Sequence, residues 1–293
     1  MQLFLCLQFG VQYLKSFICL DMKKKKKGKN RKKTMNYADL NFKIPVESKD
    51  YKECSDFVIK HIEDIISDAI KGGENRIIIN TNLRLGLPME NINKVAGPFV
   101  EAWAFETFSK IFEAGNNKYE LINVQANERL NKSDIILQFK KQRAASSGLT
   151  CEIDVKATAN DIVGSGKSPN ITSFAVIRTA YIDEPDLIFI ILSLKHKVYS
   201  TKNEETKLMD GIMEVVDYNA YDIKYLSSPD ISYNPALGTG QIQIRDIHYV
   251  DIEERDVWEF CQLLDKKFLS STRRTFENWL QLAKRFNWIK DDE

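Results

Sequence analysis

The chain has 293 residues, 43% hydrophobic and 28% charged, enough to bury a sizeable core in one large domain or two small ones. Its five cysteines, Cys6, Cys19, Cys54, Cys151 and Cys261, show no C-x-x-C spacing and only three histidines are present, which argues against zinc sites, a disulfide framework and histidine-ligated nuclease centres. Net charge is +1, but residues 1–34 hold ten Lys/Arg and one acid; the remaining 32 basic and 40 acidic residues leave about −8, against broad electrostatic adhesion to nucleic acid.

Residues 1–34 differ from the rest. Met1 to Leu20 is apolar-rich but interrupted by Gln2, Gln8, Gln12 and Lys15, and a basic run from Lys23 to Lys33 follows. A secretory signal carries its positive charge before the apolar stretch, so the order fits a signal poorly. The composition also suits a marginal membrane anchor or an amphipathic surface helix. We take translation to begin at Met35, with 1–34 a start-site artefact or disordered tail, and expect a single domain over 35–293 with a helical C-terminal subregion.

Asn41 to Glu47 reads as a short extended opening, since Pro45 disfavours helix in the residue before it. Phe57, Val58, Ile62, Ile65, Ile66, Ala69 and Ile70 recur at the helical period, and Gly72-Gly73 ends that helix. Ile77 to Ile79 is a short strand, and Asn80 to Asn93, with Gly86 and Pro88, a turn-rich connector. Gly97-Pro98 introduces an amphipathic helix over Phe99–Phe112 that carries Glu101 and Glu106. Strands are expected at Leu121–Val124, Asp134–Phe139 and Thr150–Ala157, then a loop over Asn160–Asn170 and a helix or helix start over Ile171–Tyr181. Leu187 to Leu194 is an almost unbroken apolar run, short enough for a buried central strand, with a basic exit at Lys195-His196-Lys197. Gly211–Tyr218 and Tyr221–Leu226 are weaker segments and Gln241–Arg245 alternates as a strand. Arg255–Leu269 and Arg273–Trp288 read as amphipathic helices whose aromatics, Trp258, Trp279 and Phe286 among them, belong to the core. The sum is an α/β or α+β fold, a mixed central sheet flanked by helices.

The stretch from Ser133 to Lys156 carries the chemistry. Strand alternation sends Glu152, Asp154 and Lys156 to one face and Ile153 and Val155 to the other. Asp134 opens the apolar run that reads as the neighbouring strand, so two carboxylates and an ammonium converge on one edge. Hard oxygen ligands for Mg²⁺ beside a cation that orients water are the minimum equipment for metal-dependent phosphodiester hydrolysis. A lone D-x-K on a solvent-facing strand also arises by chance; the flanking order of acidic helix, acidic strand start, E-x-D-x-K strand and Gly/Ser/Asn-rich loop favours the functional reading. Gly164-x-Gly166-Lys167-Ser168 lacks the upstream glycine of a phosphate-binding loop.

With those residues in place, the pattern resembles the PD-(D/E)xK nuclease superfamily and, within it, type II restriction endonucleases. Ser133-Asp134 stands where the family has Pro-Asp, and Asp154-Val155-Lys156 matches the D-x-K half. Glu152 is an additional acid beside the pattern. Ala96 to Glu101 resembles the upstream active-site helix of the EcoRV-like, blunt-cutting branch, and the resemblance extends to ScaI-type enzymes within it; Lys156-Ala157-Thr158 is similar to its lysine strand, Ser168 to Phe174 to its DNA-reading loop and following helix, and Gln241 to Asp246 to a late strand. The resemblance implies Mg²⁺ held by Asp134 and Asp154, water positioned by Lys156, and Glu101 orienting that water or holding a second metal. It also implies cleavage of both strands of a short palindromic duplex site to blunt ends, by a cytoplasmic homodimer whose restriction system includes a cognate methyltransferase with no direct contact.

Asn side chains suit bidentate contacts to adenine and Thr methyls suit thymine, so the pool for DNA contact is Thr158, Asn160, Ser165, Lys167, Ser168, Asn170 and Thr172, with Asn170 first for a base and Lys167 for a phosphate. Arg178, Lys195 and Lys197 are further phosphate-contact candidates. Alternative readings are a structure- or damage-directed repair nuclease, a non-catalytic DNA-binding protein of the same fold, and a membrane-tethered protein dependent on residues 1–34.

Overall fold

Burial on both faces decides what lies at the centre of this chain. The computed structural model describes residues 36–115, 117–127, 132–141 and 148–290, so the expectation for residues 1–34 falls outside the described residues. Among the described residues nine strands occur: β1 (Arg76–Ile79), β2 (Leu121–Ala126), β3 (Ile135–Phe139), β4 (Leu149–Ala159), β5 (Asn170–Ser173), β6 (Ile188–Lys202), β7 (Met209–Asp222), β8 (Ile231–Asn234) and β9 (Gln241–Ile244). The larger sheet has the order β1-β7-β6-β4-β3-β2, and β5-β9-β8 form a smaller one. Every pairing is antiparallel except β4 with β6, which run parallel from Cys151↔Ile188 to Ala159↔His196. Leu40 to Glu293 forms one compact unit.

Helices α1 (Tyr51–Lys71) and α3 (Ala96–Glu113) supply the apolar stripe for one face of the larger sheet. Val58, Ile62, Ile65, Val100, Ala104 and Phe108 share a core with Ile135, Leu137, Ile153, Val155, Ile190 and Leu192. Each such aliphatic side chain taken fully out of water contributes roughly 1.5–3 kcal/mol. The alternate residues of β6, Phe189 and Ile191, are equally buried on the opposite face, which accounts for the unbroken apolar run. Polar anchors set the orientation of α1: buried Asp222, at the end of β7, accepts from Tyr51 Oη and Ser55 Oγ, both at 2.8 Å.

The short α2 (Met89–Lys94) lies inside the segment expected to be only a connector. The first weaker segment, Gly211–Tyr218, lies within the 14-residue strand β7, where pairing with β1 and β6 on its two sides overrides weak local preference, whereas Tyr221–Leu226 supplies only the last two residues of β7 and then a 3-10 turn over Ile223–Tyr225. Strand β6 continues through its basic exit to Lys202, His196 and Val198 pointing inward while Lys195 and Lys197 are partly exposed. The segment read as a helix from Ile171 divides at Ser173, whose extended backbone ends β5 and begins α4 (Phe174–Asp183). Strand β8 went unread in the sequence.

Two C-terminal helices, α5 (Val257–Leu269) and α6 (Phe276–Arg285), begin with capping boxes at Asp256/Glu259 and Thr275/Asn278. Helix α5 packs on α4, with Phe174 stacked on Phe268 at 4.7 Å, and α6 packs on α5. Arg178 corrects an expectation: it is fully buried, not a phosphate contact, and its guanidinium donates to Asp265 through Nε at 3.1 Å and Nη2 at 3.1 Å. Asp265 Oδ1 also accepts from Trp279 Nε1 at 2.8 Å, so one carboxylate ties together α4, α5 and α6. Replacing Asp265 by Ala strands a buried guanidinium, and urea unfolding is expected to show a loss of about 3–5 kcal/mol; a loss below about 1 kcal/mol, the scale of an exposed pair, refutes this account.

Candidate active site

Strand β4 carries the site because burial enforces its alternation. Ile153 and Val155 enter the core with α1 and α3, which turns Glu152, Asp154 and Lys156 to the other face. Strand β3 pairs with β4 as far as Ile135↔Ile153, and one step further along this antiparallel register Asp134 stands opposite Asp154. Asp134 is held there twice: its N–H donates to the Ile153 carbonyl at 2.8 Å, and its Oδ2 accepts from the Val155 N–H at 2.7 Å. Ser133, the residue in the expected proline position, is buried; its hydroxyl donates to Glu152 Oε2 at 2.9 Å and accepts from Asn127 Nδ2 at 2.7 Å. Glu152 Oε1 pairs with Lys132 at 2.9 Å. Glu152 thus fastens the entry to β3, and Asp154 is the acid of β4 that faces the site.

Asp154 is only 4% exposed, and its Oδ2 lies 2.6 Å from Lys156 Nζ. The same ammonium reaches the Val155 carbonyl at 3.3 Å. Burial is the strongest influence on the Asp154 carboxyl; joined by repulsion from Asp134 and Glu101, it outweighs the attraction of Lys156 and raises the pKa from 3.8 to about 7. Glu101, half-buried on α3, is also raised, by burial first and then by Asp134, with Lys156 opposing. Asp134, Asp154, Glu101 and Lys156, drawn from three segments, therefore share one electrostatic neighbourhood in which three carboxylates face one ammonium. Glu106, on the same helix, is exposed.

Among the described residues no group of three or more His, Cys, Asp or Glu side chains is set for metal binding. The oxygens that do gather are the Asp134 and Asp154 carboxylates and the Val155 carbonyl, since the Ile153 carbonyl is already engaged by Asp134. All are hard donors, and a partly compensated buried carboxylate is a place where a small divalent cation is electrostatically welcome.

Beyond Lys156 the chain folds back on its own strand. The Ala159 N–H donates to Ser165 Oγ at 2.8 Å, and Gly166, at φ +78°, lies directly on Thr158. A Cβ there would sit 2.8 Å from Thr158 Oγ1 and 3.1 Å from an Ile247 methyl, in a backbone region that L side chains avoid, so glycine is required. Thr158 and Thr172 are buried, so neither turns its methyl outward as expected; Asn160, Lys167, Ser168 and Asn170 are exposed. Lys167 pairs with Asp246. Asn170 Oδ1 accepts from Gln243 Nε2 at 3.0 Å, and the same amide donates to the Ser168 carbonyl at 2.9 Å. That side-chain partnership spans 73 residues and left no local signal in the sequence.

The raised pKa of Asp154 links the site to stability. The folded protein retains a proton at Asp154 that the unfolded chain releases above pH 4, so the metal-free protein loses stability as pH rises from about 4 to about 7 and the full cost is present above that. Asp154→Asn in EDTA is accordingly expected to be more stable than the parent at pH 8 by on the order of 3 kcal/mol, with the gap closing by pH 4. Denaturant titrations at the two pH values check this, and a variant that is less stable at pH 8 contradicts it.

Comparison with known proteins supplies the family. The model of the type II restriction endonuclease HpaI matches residues 38–287. The type II restriction enzyme HpaI of Haemophilus parainfluenzae is 59% identical over 257 residues, which cover 88% of this chain and all of that enzyme. Among solved structures, the NlaIV restriction endonuclease aligns with a TM-score of 0.41 and 12% identity over 78% of this chain and 91% of its own. With the family model spanning nearly the whole described chain and a relative matched over its entire length, the chain belongs to the HpaI family of type II restriction endonucleases, site-specific enzymes acting on DNA.

Proposed function

We propose that this enzyme hydrolyses one phosphodiester in each strand of a short palindromic duplex site, leaving blunt ends, with Asp134, Asp154, Glu101 and Lys156 as its active-site residues. The observation that carries the reading is the buried Asp154 carboxylate, opposed to Asp134 across the β3–β4 register and paired with Lys156. Asp134, Asp154 and the Val155 carbonyl would hold Mg²⁺, and Glu101, which shares their electrostatic neighbourhood, would hold a second ion or orient water. The ion supplies charge stabilisation at the phosphate and acidity to a water. Lys156 donates hydrogen bonds to the attacking water and stabilises its hydroxide form as the oxygen attacks phosphorus and the phosphodiester P–O bond breaks. The ammonium already resting between Asp154 and the Val155 carbonyl keeps it within a side-chain rotation of that task.

Sequence reading falls to the loop that follows β4. Asn170 presents an exposed amide whose oxygen is oriented by Gln243, and two of its edges suit the N6 and N7 pattern of adenine. Lys167, Asn160 and Ser168 lie on the same exposed loop and suit phosphate or base contacts. Lys195 and Lys197, on the partly exposed end of β6, are further phosphate contacts. Cutting both strands of a palindrome requires two centres related by a two-fold axis, hence a homodimer. Among the described residues no helix is long and apolar enough to cross a membrane. We place the enzyme in the cytoplasm as one domain over residues 35–293, in a system whose cognate methyltransferase protects the host without touching it.

Incubating the chain with unmethylated phage DNA in Mg²⁺ is expected to give discrete fragments whose mapped ends are flush, and EDTA to abolish them; staggered ends refute the blunt-cutting assignment. Asp154→Asn is expected to remove cleavage while the protein stays folded, and full-rate cleavage by it refutes the assigned centre. Asn170→Ala is expected to weaken discrimination at one base pair by about 1–3 kcal/mol, read as the ratio of cleavage rates on matched and altered duplexes.

A further inference from the structure

Residues Arg245 to Tyr249, which follow β9, form a strap with bonds in two directions. Toward the loop after β4, the Arg245 carbonyl accepts from the Ser168 N–H at 3.2 Å, the Ile247 N–H donates to the Gly166 carbonyl at 2.9 Å, and Asp246 pairs with Lys167. Toward the larger sheet, the Ile247 carbonyl accepts from Tyr221 Oη and the His248 carbonyl from Asn219 Nδ2, each at 2.7 Å. Tyr249 Oη accepts from Lys195.

The His248 ring joins strap and sheet directly. It is 5% exposed, with Nδ1 3.1 Å from Ser193 Oγ and Nε2 3.2 Å from Asp217 Oδ2. A carboxylate only accepts, so the ring proton belongs on Nε2, and Nδ1 of the neutral ring accepts from the Ser193 hydroxyl. Burial first, then Lys195, hold this histidine below its ordinary pKa, which favours the neutral ring, although Asp217 and Asp246 pull the other way. Ser193 is completely buried, so the row is no nucleophilic triad open to substrate. Its place in the sheet matters more: Ser193 is the cross-strand partner of Lys156 in the parallel β4–β6 register and of Asn219 in β7, so all three stand in one row on one face.

We infer that His248 is a positioning residue: through Ser193 it locks the sheet row containing Lys156 to the strap that carries the DNA-reading loop, so that base reading and cleavage share one rigid path. The inference rests on the assignments of Lys156 to cleavage and of the loop to base reading. Its physical basis is that a displacement of about 1 Å at a reacting group costs roughly 100-fold in rate, whereas each bond along this path is an ordinary hydrogen bond that fixes position.

The test uses the full chain as parent, His248→Ala, His248→Asn, Ser193→Ala and, as a control, Lys156→Ala, with single-turnover cleavage of a duplex bearing the site mapped for the parent and of duplexes altered at one base pair. His248→Ala is expected to lower the rate at the mapped site by roughly 100-fold and to shrink the mapped-to-altered rate ratio at least about tenfold, with duplex affinity within about threefold of the parent. His248→Asn, whose amide keeps a partner for Ser193, is expected to recover most of both quantities. Ser193→Ala is expected to repeat the histidine effect in weaker form and decides the matter if His248→Ala does not fold. An unchanged rate ratio in a folded variant, or an equal loss on mapped and altered duplexes, overturns the inference. Cleavage retained by Lys156→Ala is a separate outcome: it overturns the catalytic assignment beneath the inference.

Discussion

The parallel pairing of β4 with β6 is the constraint on which the rest depends. Antiparallel neighbours are joined by tight turns, but parallel ones need a crossover from the end of one strand to the start of the next. Here that crossover spans residues 160–187 and contains the exposed loop, β5 and α4. The loop proposed to read bases therefore leaves the sheet directly from the strand that bears Asp154 and Lys156. Because both faces of β6 are buried over Ile188–Leu194 and its later lysines must alternate with buried His196 and Val198, its register is strongly specified; a one-residue slip would carry an entire set of side chains to the wrong face.

The same alternation that buries Ile153 and Val155 obliges Asp154 and Lys156 to share the opposite face, within 2.6 Å of each other. An isolated carboxylate at this depth is costly, and the structure compensates it only in part: one ammonium attracts both Asp154 and Glu101, while the Asp134 carboxylate repels both. A candidate centre kept electrostatically short of positive charge fits the proposal that a divalent cation completes its chemistry. It is also compatible with the mildly acidic body of the chain and a DNA substrate, since the cations proposed to meet phosphate are local, on the loop and the end of β6.

Elsewhere buried polar groups do a different task. Asp265 gathers Arg178 and Trp279, and Asp222 gathers Tyr51 and Ser55. These directional contacts fix helix against helix and helix against sheet where apolar surface alone allows sliding. The strap from Arg245 to Tyr249 applies the principle near the active site, with backbone bonds on the loop side and a buried imidazole on the sheet side.

Much of this protein is legible along the chain. The helical period of α1, the apolar run of β6 and the two C-terminal helices follow from local patterning, and Asp134, Asp154, Lys156 and Glu101 stand out by spacing and family resemblance. Local preference fell short where pairing was the cause: β7 reads as a weak segment with the wrong ends because its stability comes from β1 and β6, and β8 is a strand by virtue of β9. The sequence by itself determined which residues alternate and which acids accompany which lysine, since those are properties of neighbours. Only the tertiary structure decided that Glu152 fastens a strand entry, that Arg178 is sealed in a core, that Thr158 lies under Gly166, and that Ser193 and His248 meet beside Lys156. Each of these depends on contacts between residues far apart in the chain, whose formation is governed by burial and register that no short stretch of sequence contains.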